Sequence, residues 1–349
     1  MDGQRSRRAE LSVPQPNHLP RQRLAATGQV ELITSPYYHP ILPLLIDFTT
    51  ASKSESGAFD LEFRHPEHAR LHLDLGLAQF ERTFGSRPSG IWLPEMALST
   101  ESLRLLPDYD VKWTIGNSDL LVQTLGETAL FSAARPWLGP FRVQETATSV
   151  LFRDKELSDL VGFVYNSWES KVAAADFVSR IERLARELPP GRPGLLVIAL
   201  DGENAWEHYP NDGWDFLDTL YARLEASSLP TVTISDYLLQ VSPEFRELPG
   251  LNPGSWIDSN FSVWRGSPSH DTAWRLLAET TKAIGEEPRG LHSILRAECS
   301  DWFWWLSDRH WSTQASEFER LFRANLRQAY RSSGISPPEH LEHPIRSNT

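Results

Sequence analysis

The chain has 349 residues, of which 40% are hydrophobic and 23% are charged, a balance typical of globular proteins that excludes wholesale disorder. Its formal net charge of −12 argues against nucleic acid or an anionic membrane as the main partner, because both attract basic surfaces. The single cysteine, Cys299, excludes an intramolecular disulfide. With no apolar leader among the first twenty residues, we expect a cytoplasmic protein.

The predicted strands are short apolar runs, several of them without alternation, as in buried parallel strands. These predicted strands lie at 29–34, 90–94, 111–115, 160–165, 194–200 and 231–234. Residues 1–23, which precede the first strand, are predicted to be a disordered leader.

Amphipathic stretches between these runs are predicted to be helices. One begins at Pro66, a favoured first-turn residue, and ends at Gly85. Others are predicted at 172–188, 213–224, 271–284, 290–297 and 315–333. Alternating strands and helices predict an α/β fold with a parallel sheet or barrel, here assigned to 24–250. After Pro253 the strand signals fade, so 251–349 is predicted to be an α-helical C-terminal region.

Two carboxylates directly follow predicted buried strands. Glu95 ends the sequence SGIWLPE, and Asp201 follows GLLVIAL. The carboxyl ends of parallel strands form the rim where active sites are assembled, and glycoside hydrolysis needs two carboxyl groups facing each other. Either acid also fits a helix cap or a salt bridge, and the sequence DGEN (201–204) also fits a divalent cation site. No glycine-rich phosphate loop accompanies that sequence.

Several long blocks resemble glycoside hydrolase family 57, and most of all its amylopullulanase-like and α-amylase-like members. The blocks are GQVELITSPYYHPILPLL (28–45), SGIWLPEMALS (89–99), FRDKELSDLVGFVYNSW (152–168), LDGENAWEHYPNDGWDFL (200–217), PGSWIDSNFSVWRG (253–266) and SDWFWWLSDRHWS (300–312). They occur in the expected order over about 28–345. A His-Gln-Pro strand that normally precedes the first block is not found, so the resemblance implies an incomplete (β/α)7 barrel followed by a helical region.

The resemblance also implies the chemistry. Glu95 would be the nucleophile and Asp201 the general acid/base of a retaining enzyme that needs no metal or other cofactor. Its partner would be an α-glucan polysaccharide or oligosaccharide with α-1,4 or α-1,6 bonds, cleaved by hydrolysis or by 4-α-glucanotransfer. The alternative is an inactive carbohydrate-binding relic or partner subunit.

Seven further residues are candidate sugar ligands, since aromatic rings suit pyranose faces and polar groups suit hydroxyls. They are Glu31, His39, Trp92, Asp154, Trp206, Trp256 and Trp264. Core or capping roles remain open for Glu31 and His39, pairing with Arg153 for Asp154, and simple packing for Trp206.

Three histidines, His65, His68 and His72, are spaced so that they could share one helix face. No partner carboxylate or cysteine is evident in the sequence, so we predict no metal site there.

Overall fold

The computed structural model describes residues 18–53, 61–126, 135–188, 194–202, 205–240, 245–310 and 312–346. Within these ranges, no helix combines the length and the apolar character needed to cross a lipid bilayer. The α-helices there are α1 (His18–Ala26), α2 (Leu42–Ile46), α3 (Pro66–Phe84), α4 (Thr100–Leu105), α5 (Ser118–Leu125), α6 (Lys155–Asp159), α7 (Ser170–Glu187), α8 (Trp214–Ala226), α9 (Ile234–Gln240), α10 (Pro268–Ile284), α11 (Pro288–Ala297), α12 (Ser300–Leu306) and α13 (Ala315–Ser332). Residues 18–23 of the predicted leader belong to α1, and the rest of that leader lies outside the described residues.

A mixed sheet confirms the α/β class. Its strands are β1 (Gly90–Ile91), β2 (Trp113–Asn117), β3 (Phe141–Val143), β4 (Ser149–Arg153) and β5 (Arg246–Leu248). They follow the order β1-β2-β4-β3-β5. Strands β1, β2 and β4 are parallel, β3 runs antiparallel to β4, and β5 runs parallel to β3.

Two parallel bridges extend the row formed by β1, β2 and β4. Thr34 pairs with Ile91 on one side, and Val197 pairs with Arg153 on the other. The predicted runs 29–34, 90–94, 111–115 and 194–200 therefore contribute to one parallel arrangement. Because parallel strands end at the same rim, the residues that follow Ile91 and Val197 emerge on one side of the molecule.

The predicted strand at 160–165 is wrong. Leu160–Val164 is a π-helical turn, and Tyr165–Ser167 continues as a 3-10 turn. Asp154 caps α6 just before it by accepting a hydrogen bond from the Leu157 N–H, so the chain is already helical when it reaches Leu160. The prediction also missed β4, because a short apolar run cannot be assigned by periodicity alone, and it missed the three-residue strands β3 and β5.

The predicted strand at 231–234 is also wrong, since Ile234 begins α9. The predicted helices agree more closely with the structure than the predicted strands do. α3 begins at Pro66 and is followed by Gly85, which has the left-handed backbone (φ 80°) that glycine adopts without strain.

Side chains alternate between the two faces of the sheet. Val150 and Phe152 join the main core with the helices, whereas Leu151 packs with Trp113 and Val197 in a smaller cluster on the other face. At Gly90, a Cβ atom would lie 2.2 Å from the Trp113 ring. Glycine is therefore required where β1 meets β2.

Candidate active site

A cavity of about 970 Å³ opens at the carboxyl ends of the parallel row. It takes residues from segments far apart in the chain. The lining includes His39, Trp92, Glu95, Arg153, Asp159, Phe163, Asp201, Glu207, Trp256, Asp301, Trp304 and Trp305. The two carboxylates that the sequence singled out thus line one cavity.

Glu95 reaches this cavity from a strained backbone. After β1, residues Pro94–Met96 form a 3-10 turn in which Glu95 has φ 58° and ψ 20°. For a non-glycine residue this left-handed conformation costs roughly 1–2 kcal/mol. The Trp256 N–H donates to the Glu95 carbonyl at 3.0 Å and holds the turn in place. Strain of this kind is typical of functional positions.

Two donors contact the Glu95 carboxylate directly. Trp256 Nε1 donates to Oε2 at 2.9 Å, and Ser300 Oγ donates to Oε1 at 3.4 Å. His39 Nδ1 lies 2.9 Å from Ser300 Oγ and 3.9 Å from Glu95 Oε1. These contacts fix the position of the carboxylate and stabilise its ionised form.

Burial is the main cause that raises the pKa of Glu95 to about 7. The negative charges of Asp201 and Asp301 raise it further, against the opposing donors Trp256 and Ser300. A carboxyl group in this state retains a proton near neutral pH. Such a group beside a second carboxylate in a cavity is typical of acid/base sites.

Asp201 is brought to the cavity by the segment that pairs with β4. Val197 bridges to Arg153, and Arg153 Nη1 donates to the Ala199 carbonyl at 3.0 Å. Four residues after Val197, Asp201 lines the cavity close enough for its charge to act on Glu95. Glu203 and Asn204 lie outside the described residues.

Arg153 connects the parts of the site and was not predicted as a site residue. Its guanidinium lies 5.1 Å from the centre of the Trp256 ring, and its Nε donates to Asn117 Oδ1 at 2.9 Å. Burial lowers its pKa, while the charges of Asp159, Asp119 and Asp201 oppose that effect. Arg153 therefore joins the end of β2, the segment before Asp201 and the tryptophan that holds Glu95.

Three of the seven candidate sugar ligands line the cavity: His39, Trp92 and Trp256. Trp92 and Trp256 meet edge to face, with their ring centres 5.7 Å apart and an interplanar angle of 84°. The two indoles thus present aromatic surface beside Glu95.

Glu31 and Asp154 lie outside the cavity lining and hold the fold together. Glu31 accepts hydrogen bonds from Trp113 Nε1 at 3.2 Å and from the Ser235 N–H at 3.0 Å. Asp154 is fully buried, caps α6, accepts from Trp137 Nε1 at 3.0 Å and pairs with Arg135. The sequence could not show these partners because each lies on another element.

Trp206 and Trp264 are also absent from the lining. Trp206 packs against Tyr209 and Phe216 in a separate hydrophobic cluster, with ring centres 5.5 and 6.4 Å away. Trp264 is fully buried in the main core. Both tryptophans pack against other side chains outside the cavity lining, although they belong to the same blocks as cavity residues.

Other cavity residues were missed besides Arg153. Asp301, Trp304 and Trp305 come from α12, and Phe163 exposes 77% of its surface at the edge of the cavity. The signal for the first three was present in the Trp-rich sequence SDWFWWLSDR. Only the fold shows that α12 faces Glu95.

Comparison with known proteins decides the family. The model of glycosyl hydrolase family 57 matches residues 14–249, more than half of the chain. The chain belongs to glycosyl hydrolase family 57. It is 24% identical to the 1,4-alpha-glucan branching enzyme TK1436 of Thermococcus kodakarensis, in a match that covers 72% of this chain and spans 44% of that enzyme.

Solved structures share the fold of this chain. The crystal structure of TK1436, in complex with glucose, superposes with a TM-score of 0.73 at 21% identity, over 90% of this chain and 68% of that one. The α-amylase AmyC of Thermotoga maritima gives 0.62 at 17% identity, over 94% and 75% of the two chains. The 4-alpha-glucanotransferase of Thermococcus litoralis gives 0.60 at 17%, over 89% and 48%.

Proposed function

We propose that this protein cleaves α-glucosidic bonds of α-glucans by double displacement, with Glu95 as nucleophile and Asp201 as general acid/base. The observation that carries the proposal is that both carboxyls line one cavity, close enough for the charge of Asp201 to act on Glu95. Membership of glycosyl hydrolase family 57 supports it. The aromatic surfaces of Trp92 and Trp256 suit sugar rings.

In the first step, a Glu95 carboxylate oxygen bonds to the anomeric carbon while the bond to the glycosidic oxygen breaks. Asp201 gives its proton to that departing oxygen. In the second step, a hydroxyl of water or of an acceptor sugar attacks the anomeric carbon and gives its proton to Asp201. The bond to Glu95 breaks, and the anomeric configuration is retained.

The proton must be on Asp201 when the first step begins. In the empty cavity, the raised pKa means that Glu95 itself keeps a proton up to about pH 7. Positive charge that develops at the anomeric carbon stabilises the Glu95 carboxylate, so the reacting complex favours the proton on Asp201. The Trp256 and Ser300 donors add to this preference.

The parallel row fits part of a (β/α)7 barrel, which we assign to 24–250. Residues 251–349 would then close the cavity, because Trp256 on one side and Asp301 on the other come from this later part of the chain. The domain boundary therefore runs through the proposed active site.

Branching is a second candidate, and a specific similarity favours it over hydrolysis. The relative TK1436 is a 1,4-alpha-glucan branching enzyme, and a branching enzyme of Pyrococcus horikoshii shares the fold with a TM-score of 0.68. In branching, the chain held on Glu95 would pass to the 6-hydroxyl of an acceptor glucose and form an α-1,6 bond. New α-1,6 bonds after incubation with amylose indicate branching, whereas new reducing ends without them indicate hydrolysis.

The catalytic assignment is tested with Glu95→Gln and Asp201→Asn. Glu95→Gln should lower turnover of an activated maltooligosaccharide by about three orders of magnitude or more. Asp201→Asn should slow substrates with poor leaving groups far more than activated ones, because only poor leaving groups need protonation. Glu81→Gln is the control, since Glu81 lies on α3 in a surface pair with Arg87.

Rescue by azide provides a second test of Glu95 as the nucleophile. It should partly restore turnover by Glu95→Gly and give a glycosyl azide of inverted configuration, because the small anion occupies the place of the nucleophile. Near wild-type rates in both Glu95→Gln and Asp201→Asn would contradict the catalytic assignment. A wild-type protein that binds maltooligosaccharides but never cleaves them would instead support the inactive carbohydrate-binding alternative.

A further inference from the structure

Three potential metal ligands meet where α3 begins, away from the cavity lining. His65 is the residue before the helix, and Glu67 and His68 lie in its first turn. One ligand atom from each of them lies within 4.8 Å of the other two. His65 Nδ1 lies 2.7 Å from Glu67 Oε1, and His68 Nε2 lies 4.0 Å from the same oxygen.

A buried carboxylate orients one of these ligands. His68 is 5% exposed, and its Nδ1 lies 2.6 Å from Oε1 of the buried Glu298. Because a carboxylate only accepts, Nδ1 of His68 carries the hydrogen. In the neutral ring, Nε2 then has a free lone pair. Among the described residues it makes no hydrogen bond and faces Glu67.

We propose that His65, Glu67 and His68 bind one divalent transition-metal ion of the zinc type. Two imidazoles and a carboxylate match the ligands that Zn²⁺ prefers, and the fourth tetrahedral position would hold water. The contact between Glu298 and His68 is the carboxylate–histidine arrangement that orients zinc ligands in proteins. Ca²⁺ and Mg²⁺ prefer sites made of oxygen ligands and fit poorly.

The start of a helix opposes a cation through the helix dipole. Glu67 provides a negative charge at the site, and Glu298 provides a second one behind His68. The sequence expectation of no metal site rested on the lack of an evident partner carboxylate or cysteine. The structure supplies both carboxylates, one of them from a position 230 residues away.

A zinc ion at this site would restrain the segment that helps to position Glu95 in the cavity. Glu298 also contacts His72 on the next turn of α3. Two residues after Glu298, Ser300 donates to Glu95. A metal ion that fixes His68 therefore restrains the segment that leads to the catalytic carboxylate, and it should raise the melting temperature.

The test uses untagged full-length protein stripped with a chelator. Titration with Zn²⁺ alone should give one ion per chain, and Co²⁺ should give the absorption bands of a tetrahedral site. His65→Ala and Glu67→Gln should each weaken Zn²⁺ binding at least about tenfold. Both residues lie partly at the surface, so folded variants are expected and circular dichroism verifies them.

His340→Ala is the matched control, because His340 also pairs with a glutamate, Glu279, at 3.5 Å. It lies in no cluster of three potential ligands found among the described residues. It should leave Zn²⁺ binding unchanged. The proposal is overturned if Zn²⁺ shows no saturable binding, if both ligand variants bind like the wild type, or if Mg²⁺ binds as tightly as Zn²⁺.

Discussion

Two glutamates, the partly buried Glu95 and the fully buried Glu298, differ in the sign of their pKa shifts. Burial disfavours the charge of both. Hydrogen bonds from His68 and His72 overcome burial at Glu298 and lower its pKa to about 2. At Glu95, nearby Asp201 adds to the effect of burial, and the pKa rises to about 7.

The neighbours explain the roles of these two glutamates. Both ring nitrogens of His72 face acceptors, the Tyr37 carbonyl and the Glu298 carboxylate. Glu298 is thus a structural ion that ties α3 to the chain before α12. At Glu95, burial and the charges of Asp201 and Asp301 outweigh the donors Trp256 and Ser300, so its ionised form is destabilised.

The largest expected effect follows from removing the charge of Glu298. Glu298→Gln should lower the free energy of unfolding by about 3–5 kcal/mol at neutral pH, because the hydrogen bonds from the buried His68 and His72 lose their charged acceptor. A lowered carboxylate pKa stabilises the fold above the unfolded value of about 4.5, and this contribution is lost as the pH falls toward 2. Urea unfolding at several pH values measures the difference between variant and wild type.

The control for Glu298→Gln is Glu279→Gln, which breaks an exposed glutamate–histidine pair. It should cost less than about 1 kcal/mol. A Glu298→Gln variant that is as stable as this control at pH 7 would contradict the structural role of Glu298.

Glu95→Gln should have the opposite effect on stability. A carboxyl pKa raised from 4.5 to about 7 means that the fold loses stability as the pH rises through that window. The neutral glutamine avoids this loss, so the variant should be more stable than the wild type at pH 8 by up to about 3 kcal/mol. The gain should vanish below about pH 4.5. A variant less stable than the wild type at pH 8 would show that Glu95 is a structural ion like Glu298.

The smallest expected effect follows from removing the Trp256 N–H, a donor that lowers the pKa of Glu95. Trp256→Phe keeps the aromatic ring and removes the Nε1–H that bonds to Glu95. The pKa of Glu95 should rise by about one further unit, since a hydrogen bond to a charged group contributes about 1.5 kcal/mol. The acidic limb of the pH profile of kcat/KM should move upward accordingly. Trp92→Phe is the control, and an equal movement in both variants would contradict this contact.

The sequence singled out Glu95 and Asp201, the proposed catalytic pair, because each directly follows an apolar run. It did not predict the His68–Glu298 network, whose members lie 230 residues apart. Nor could it separate Trp256, which binds Glu95, from Trp264, which is buried eight residues later in the same block. The run at 160–165 has the composition of a strand, but the capped helix before it carries the chain into helical turns. Local patterns thus located residues at strand ends, whereas long-range packing decided their partners.

The most direct measurement is to identify the carboxylate that becomes covalently attached to the sugar. A 5-fluoro-α-glucosyl fluoride should trap the glycosyl-enzyme, because the fluorine at C5 slows its breakdown more than its formation. Digestion and mass spectrometry should then place one glucosyl group on Glu95 and none on Glu298. A label on any other carboxylate, or steady turnover with no covalent species at all, would contradict the assignment of Glu95 as the nucleophile.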